Sequence, residues 1–260
     1  MKHILISNQR RIACYYEKQP AGTPLVLLHG FCEDSSVWEA MLPYLDQQHL
    51  IRIDLPGFGG SDLPVVANLE YYARDVHEAL QALGIQQCRL IGHSLGGYVA
   101  LEYARQYSAH LSELGLFHSH PYPDDETRIQ NRRRGIEMLQ QGKRDLYVAQ
   151  LFPNLFAPEF AEKHPEIIQK LIKNGQKQSP AGIIAALEAM IARPSYEPVL
   201  RHCTCPVRFI LGEKDALIPL EDGIRAATMP VVSSLHVLKG VGHMGMWEAP
   251  EEATLLSPES

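Results

Sequence analysis

The stretch Cys88-Arg-Leu-Ile-Gly-His-Ser-Leu-Gly-Gly-Tyr-Val-Ala100, CRLIGHSLGGYVA, joins an apolar run to a helix-like one and crowds Gly92, Gly96 and Gly97 around one hydroxyl, Ser94. Gly-x-Ser-x-Gly carries meaning only between a strand and a helix. Here Arg89 to Ile91 reads as the strand, and Gly97 to Tyr107 as the helix, with small residues Gly97, Ala100 and Ala104 on neighbouring turns. In that frame the serine sits on a sharp, strained turn, and Gly92 and Gly96 lack the Cβ atoms that would collide where strand and helix cross. The helix N-terminus adds backbone N–H groups and partial positive charge nearby. The stretch therefore predicts a nucleophile, Ser94, held out above a sheet.

Working outward, short β-type runs recur at Thr23 to His29, Leu50 to Asp54, Leu114 to Phe117, Val207 to Leu211 and Leu235 to Leu238. Several lack strict alternation, as central strands covered on both faces do. Leu69 to Leu83 reads as an amphipathic helix. Strand and helix in alternation predict an α/β fold with a doubly wound, mostly parallel sheet. From about Pro121 to Arg201 the chain is helix-rich and polar, broken at Gly142, Pro153, Pro158, Pro165, Gly175, Pro180, Pro194 and Pro198. The expected organisation is a core of residues 1–120 and 202–260 with a helical cap, 121–201, inserted between strands. Within it, Gly182 to Ala192 is apolar on most faces and serves either cap packing or a greasy pocket.

Composition narrows the function. The 260 residues are 45% hydrophobic with a net charge of −6, enough for one large domain and unsuited to nucleic acid. Arg132, Arg133 and Arg134 read as a solvated helix face. No apolar run approaches the roughly 18 to 20 residues that span a bilayer. The N-terminal stretch has too few apolar residues for a signal-peptide core. Cys14, Cys32, Cys88, Cys203 and Cys205 form neither a CxxC nor a four-ligand zinc pattern, so they read as reduced thiols of a cytoplasmic protein.

A serine hydroxyl needs a base and a group that orients the base. Among 12 histidines, His243 stands in Gly240-Val-Gly-His-Met-Gly245 just after the last strand signal, where a doubly wound sheet presents its active-site loops. Asp215, in Gly212-Glu-Lys-Asp-Ala-Leu-Ile-Pro219, follows the preceding strand on the same edge. The backbone N–H groups of Leu95 and of Phe31, in His29-Gly30-Phe31, are the candidate oxyanion donors, with Gly30 allowing close approach. His29 reads as an anchor of that loop.

These residues bring the chain close to a known family. It resembles the α/β-hydrolase superfamily in its capped, esterase-like branch, through HGF at His29 to Phe31, DLPGFGGSD at Asp54 to Asp62, GHSLGG at Gly92 to Gly97, GEKDALIP at Gly212 to Pro219 and GHMGMWEAP at Gly242 to Pro250. The resemblance spans nearly the whole chain and implies the same roles for Ser94, Asp215, His243, Phe31 and Leu95. It also implies that the loop Gly57-Phe-Gly-Gly60 borders the active site. Only 17 residues follow His243, so the final helix of the family is expected to be short or cut off.

Other signals are weaker. Gly57 to Gly60 lacks the spacing of a dinucleotide or P-loop motif. His118-Ser-His120 with Asp124 and Asp125 offers two metal ligands without a third His or Cys at ligand spacing, so it reads as a hinge at the cap entrance, and no metal is expected. Asp124 and Asp125 are rivals to Asp215, because some members of the superfamily carry the acid after the preceding strand. His93, Trp38 and Met244 are candidate pocket-lining side chains, with core packing the default for Trp38 and Trp247. The expected protein is a cofactor-free serine hydrolase of small carboxylic esters or related acyl substrates. Carbon–carbon bond, lactone or thioester hydrolysis and cofactor-free perhydrolysis share the triad, and a ligand receptor of the same fold is the reading from another class. A serine at 94 argues against the dehalogenase and epoxide hydrolase branches. The small acyl substrate is the one expected partner, with neither nucleic acid nor membrane, and no oligomeric state is assigned.

Overall fold

In the central strands nearly every residue is buried, which selects a parallel sheet covered on both faces. The computed structural model describes residues 2–7, 9–16, 22–45 and 49–257. The strands are β1 (Lys2–Ser7), β2 (Arg10–Tyr16), β3 (Leu25–Leu28), β4 (Leu50–Ile53), β5 (Cys88–His93), β6 (Leu111–Phe117), β7 (Val207–Gly212) and β8 (Ser233–Leu238). They form one eight-stranded sheet in the order β1-β2-β4-β3-β5-β6-β7-β8. β2 runs antiparallel to β1 and β4, and the other neighbours are parallel. The β1–β2 hairpin is absent from the expectations above.

The crossover helices follow their patterns. α1 (Leu69–Ala82) buries Leu69, Tyr72, Ala73, Val76, Ala79 and Leu80, a stripe at helical spacing, and starts where the Asn68 side chain accepts from the Tyr71 N–H at 3.0 Å. It packs on α2 (Leu95–Tyr107), which leads from β5 to β6. Between β6 and β7 stand six helices, α3 (Glu126–Gln140), α4 (Arg144–Leu151), α5 (Pro158–Lys163), α6 (Pro165–Gly175), α7 (Pro180–Ile191) and α8 (Glu197–Arg201). Prolines open α5, α6, α7 and α8 within their first two positions, where the missing N–H costs nothing. α9 (Leu220–Ala227) joins β7 to β8.

Among the described residues, β8 is followed by α10 (Gly245–Glu248) and a short 3₁₀ segment, Pro250–Leu256. This segment is docked rather than loose: Leu256 is buried, its carbonyl accepts from Arg89 at 2.6 Å, and that of Leu255 accepts from Arg208 at 2.5 Å. Both arginines also pair with Glu113. Among the described residues no helix is long and apolar enough to cross a membrane.

Candidate active site

The parallel strands deliver their C-terminal ends to one edge, and five loops meet there: Gly30 to Glu33 after β3, Ser94 after β5, His118 after β6, Asp215 after β7 and His243 after β8. Ser94 adopts φ 49° and ψ −111°, a region disfavoured for a residue with a Cβ. It is held there by its own N–H donating to the Phe117 carbonyl at 3.0 Å and by the Ser119 hydroxyl donating to its carbonyl at 2.9 Å. The glycines answer the crowding seen in the sequence. A Cβ on Gly92 would lie 2.1 Å from the Gly96 carbonyl oxygen, and one on Gly96 would lie 2.6 Å from that of Leu28.

His243 Nδ1 lies 2.7 Å from Asp215 Oδ2, with both side chains buried. Asp215 Oδ1 accepts from the N–H groups of Leu217 and Ile218 at 2.9 and 3.0 Å. Burial alone would raise the Asp215 pKa, but the facing rings of His243 and His118, through charge and hydrogen bonding, hold it far below the usual carboxylate range. Burial likewise disfavours charge on His243, yet the facing Asp215 carboxylate raises its pKa above the ordinary histidine value. His243 sits on a loop closed by Glu248, whose carboxylate accepts from the N–H groups of Gly242, Met244 and Ala157 at 2.9 to 3.0 Å.

Ser94 and His243 line one cavity of about 370 Å³, within the size range of small-molecule sites. Phe31, Glu33, His93, Tyr98 and Ile218 complete its core side, while Arg128, Asn131, Arg132, Tyr147, Leu151, Leu155 and Met190 close it from the inserted helices. The N–H groups of Phe31 and Leu95 meet no protein acceptor among the described residues. A larger cavity of about 700 Å³, walled by Glu70, Glu102, Arg105, Tyr196, His202 and Cys203, contains neither Ser94 nor His243. Size therefore does not choose between the two; the convergence of reactive groups does.

Several expectations are corrected. Trp38 and Met244 are not on the cavity wall: Trp38 is fully buried behind it, edge-on to Phe117 at 5.5 Å and to His93 at 6.4 Å, and Met244 is buried in the core. His93 does line the cavity, and its Nε2 lies 3.0 Å from the His243 carbonyl while Nδ1 lies 3.2 Å from buried Glu33. The loop Gly57 to Gly60 stands off the wall, because Gly57 is pressed against Gly182 of α7 and the Gly59 N–H donates to Gln178. Arg132 is not on a solvated face but turns inward to Asp124, leaving Arg133 and Arg134 exposed.

The rival acids are otherwise engaged. Asp124 is buried between Arg132 and Arg193, and Asp125 caps α3 by accepting from the Arg128 N–H at 2.8 Å. His118 and His120 do not chelate as a pair: His118 Nδ1 faces Asp215 Oδ2 at 3.2 Å, whereas His120 faces Arg128 and the Tyr122 N–H. The groups that could share an ion are instead His118, Asp215 and His243, whose ligand atoms lie within 4.8 Å of one another. His29 anchors its loop, with Nε2 accepting from the Leu55 N–H at 2.8 Å and Nδ1 2.7 Å from the Gly30 carbonyl. Glu33 and Glu248 carry no sequence signal beyond their places beside HGF and inside GHMGMWEAP, and His118, which the sequence offers as a metal ligand or hinge, faces Asp215 instead.

Comparison with known proteins identifies the family. The model of the Alpha/beta hydrolase family matches residues 25–255. A thermophilic esterase from Thermogutta terrifontis, solved with malate bound, superposes with a TM-score of 0.90 at 31% identity, covering 98% of this chain and 96% of that one. A 2-succinyl-6-hydroxy-2,4-cyclohexadiene-1-carboxylate synthase of Salmonella agona is 28% identical over 89% of this chain and 91% of its own length. A 2-hydroxy-6-oxononadienedioate/2-hydroxy-6-oxononatrienedioate hydrolase of Burkholderia vietnamiensis is 26% identical over 95% of this chain and 90% of its own. The chain belongs to the alpha/beta hydrolase family and is an enzyme of that family.

Proposed function

We propose that this alpha/beta hydrolase is a serine hydrolase that cleaves small carboxylic esters through an acyl-enzyme. The observation that carries the reading is the 2.7 Å His243–Asp215 contact beside a strained, half-buried Ser94 on the same cavity. His243, with its Nδ1 proton held by Asp215, takes the Ser94 proton as Oγ attacks the ester carbonyl. The N–H groups of Phe31 and Leu95 receive the oxyanion. The imidazolium, stabilised by Asp215, protonates the departing alcohol, and a water activated by His243 then releases the acid and restores Ser94. The inserted helices act as the cap that shapes the cavity. The five free thiols support a reducing, cytoplasmic setting.

Arg128, Asn131 and Arg132 on the cap side favour a second reading, carbon–carbon bond cleavage in an acidic substrate such as the dioates named for the Burkholderia relative. The test is labelling by a fluorophosphonate, followed by kinetics on paired esters with and without a free carboxylate and on a vinylogous diketone acid. The expected result is labelling at Ser94, lost in Ser94→Ala, with ester turnover. Native protein that stays unlabelled removes the serine-hydrolase reading, and turnover of the diketone alone selects the second.

A further inference from the structure

His118 is a buried titratable group at the site that the chemistry above leaves without a task. It directly follows β6 in the left-handed region at φ 49° and is fully buried. Space for its ring is set aside by Gly245, where a Cβ would lie 2.4 Å from His118 Nε2. The ring turns Nδ1 to Asp215 Oδ2 at 3.2 Å, the same oxygen that faces His243 at 2.7 Å. The Gly212 N–H also points at this Nδ1, at 3.1 Å, and Nε2 meets no partner among the described residues.

Nδ1 can serve only one of its two neighbours. With the proton on Nε2, a donor is buried without an acceptor and Nδ1 turns a lone pair toward a carboxylate. With the proton on Nδ1, the Gly212 N–H goes unserved, but the ring makes a bond to a charged oxygen, about twice as strong as a neutral one. An orphaned donor is common to both arrangements, so the carboxylate decides for Nδ1–H. We propose that His118 is a positioning residue that acts through Asp215, donating Nδ1–H to Oδ2 so that the carboxylate stays aligned on His243. The inference rests on the serine-hydrolase reading for its consequence, though not for the bond itself.

Sharing Oδ2 has a second effect. A donor on that oxygen draws charge from the contact with His243, so its loss strengthens the pull of Asp215 on the His243 proton. The other ionisable groups facing His118 are the rings of His243 and His93, at 5.8 and 6.1 Å between centroids; Glu33 and Glu248 act on His243. Burial, only partly offset by Asp215, lowers the His118 pKa to about 4, so the ring is a neutral donor over the working pH range.

Nitrogen-15 NMR of the native protein, labelled at histidine, reads the tautomer directly. The expected result is a proton on Nδ1 of His118 at neutral pH; a proton on Nε2 overturns the proposal. In parallel, His118→Ala is expected to lower kcat by about ten- to a hundredfold with KM little changed, the range for one hydrogen bond to a charged group, and to move the acid limb of kcat/KM to higher pH. His118→Asn sets an amide N–H near the Nδ1 position and tolerates positive φ, so it should restore most of the loss and return the limb. A folded His118→Ala enzyme with native kcat and pH profile overturns the proposal, and if that variant does not fold the tautomer alone decides. Absent fluorophosphonate labelling of Ser94 would instead remove the hydrolytic reading while the tautomer still reports the bond.

Discussion

Asp215→Asn should lower kcat by about 10⁴-fold with the fold retained. The carboxylate accepts from Leu217 and Ile218 N–H at 2.9 and 3.0 Å on Oδ1 and from His243 at 2.7 Å on Oδ2. The introduced amide has one acceptor. Turning its NH₂ toward the backbone pair would leave two buried donors unserved, at about 1–3 kcal/mol each, so the oxygen stays with Leu217 and Ile218. The NH₂ then faces His243 Nδ1 and donates to it. That forces the His243 proton onto Nε2, where the ring can no longer accept from Ser94, and it removes the charge that stabilises the imidazolium. A 10⁴-fold loss corresponds to about 5 kcal/mol of transition-state stabilisation. The assay is ester hydrolysis by Asp215→Asn beside Asp124→Asn and Asp125→Asn, with thermal melts on each. Asp124→Asn removes the carboxylate that faces the fully buried Arg193 and should lower Tm by about 5–10 °C while keeping kcat within about tenfold. Asp125→Asn should be near neutral. If Asp215→Asn keeps more than about a tenth of kcat, or either other variant loses more, the acid is wrongly assigned.

Three further outcomes are expected. Gly92→Ala puts a Cβ 2.1 Å from the Gly96 carbonyl oxygen, which cannot swing away, and should lower Tm by several degrees or abolish soluble expression; Gly84→Ala, in open space but at φ 76°, should cost only about 1 kcal/mol by melting. Burial lowers His118 to about 4 and His120 to about 3, so the unfolded chain binds more protons as pH falls below the ordinary histidine value near 6.5; stability should drop by about 1.4 kcal/mol per pH unit per group down to those values, and a Tm flat between pH 6.5 and 4 would contradict it. Cys203, whose thiol is lowered to about 6 by its hydrogen bond with Cys205, should be alkylated first by iodoacetamide, with buried Cys14 and Cys88, pushed up to about 12, unmodified in native protein by mass spectrometry.

What the chain discloses about its fold follows burial. β3, β5 and β7 are buried at every position, so each stands in the sequence as a mostly apolar run between breakers, with Arg89 and Arg208, paired to Glu113, as the charged exceptions. β2 is Arg-Arg-Ile-Ala-Cys-Tyr-Tyr with only its middle three residues buried, and as an antiparallel flanking strand it has no continuous apolar run to announce it. α3 buries only Gly135 and Leu139, so its limits are marked by the Asp125 cap and Gly142 rather than by periodicity. The partners of the loop Gly57 to Gly60, Gln178 and Gly182, lie over a hundred residues later in the chain, so its neighbours are not legible locally.

The same distinction governs the site. Ser94, Asp215 and His243 each sit in a local motif because each needs a particular backbone at its own strand end, and local backbone demands are written in neighbouring residues. The groups that tune them are fixed by partners far along the chain: His118 by Asp215, 97 residues away, His93 by Glu33, 60 away, and Arg193 by Asp124, 69 away. No short window can carry such a pair. A polar residue in this family that is buried at a strand end and lacks a motif is therefore where sequence reading is blind and geometry is informative. Gly245 shows how the two meet, since a Cβ there would lie 2.4 Å from His118 Nε2, whereas one on Gly212 would first meet the carbonyl oxygens of Gly242 and Val241 at 2.1 and 2.5 Å.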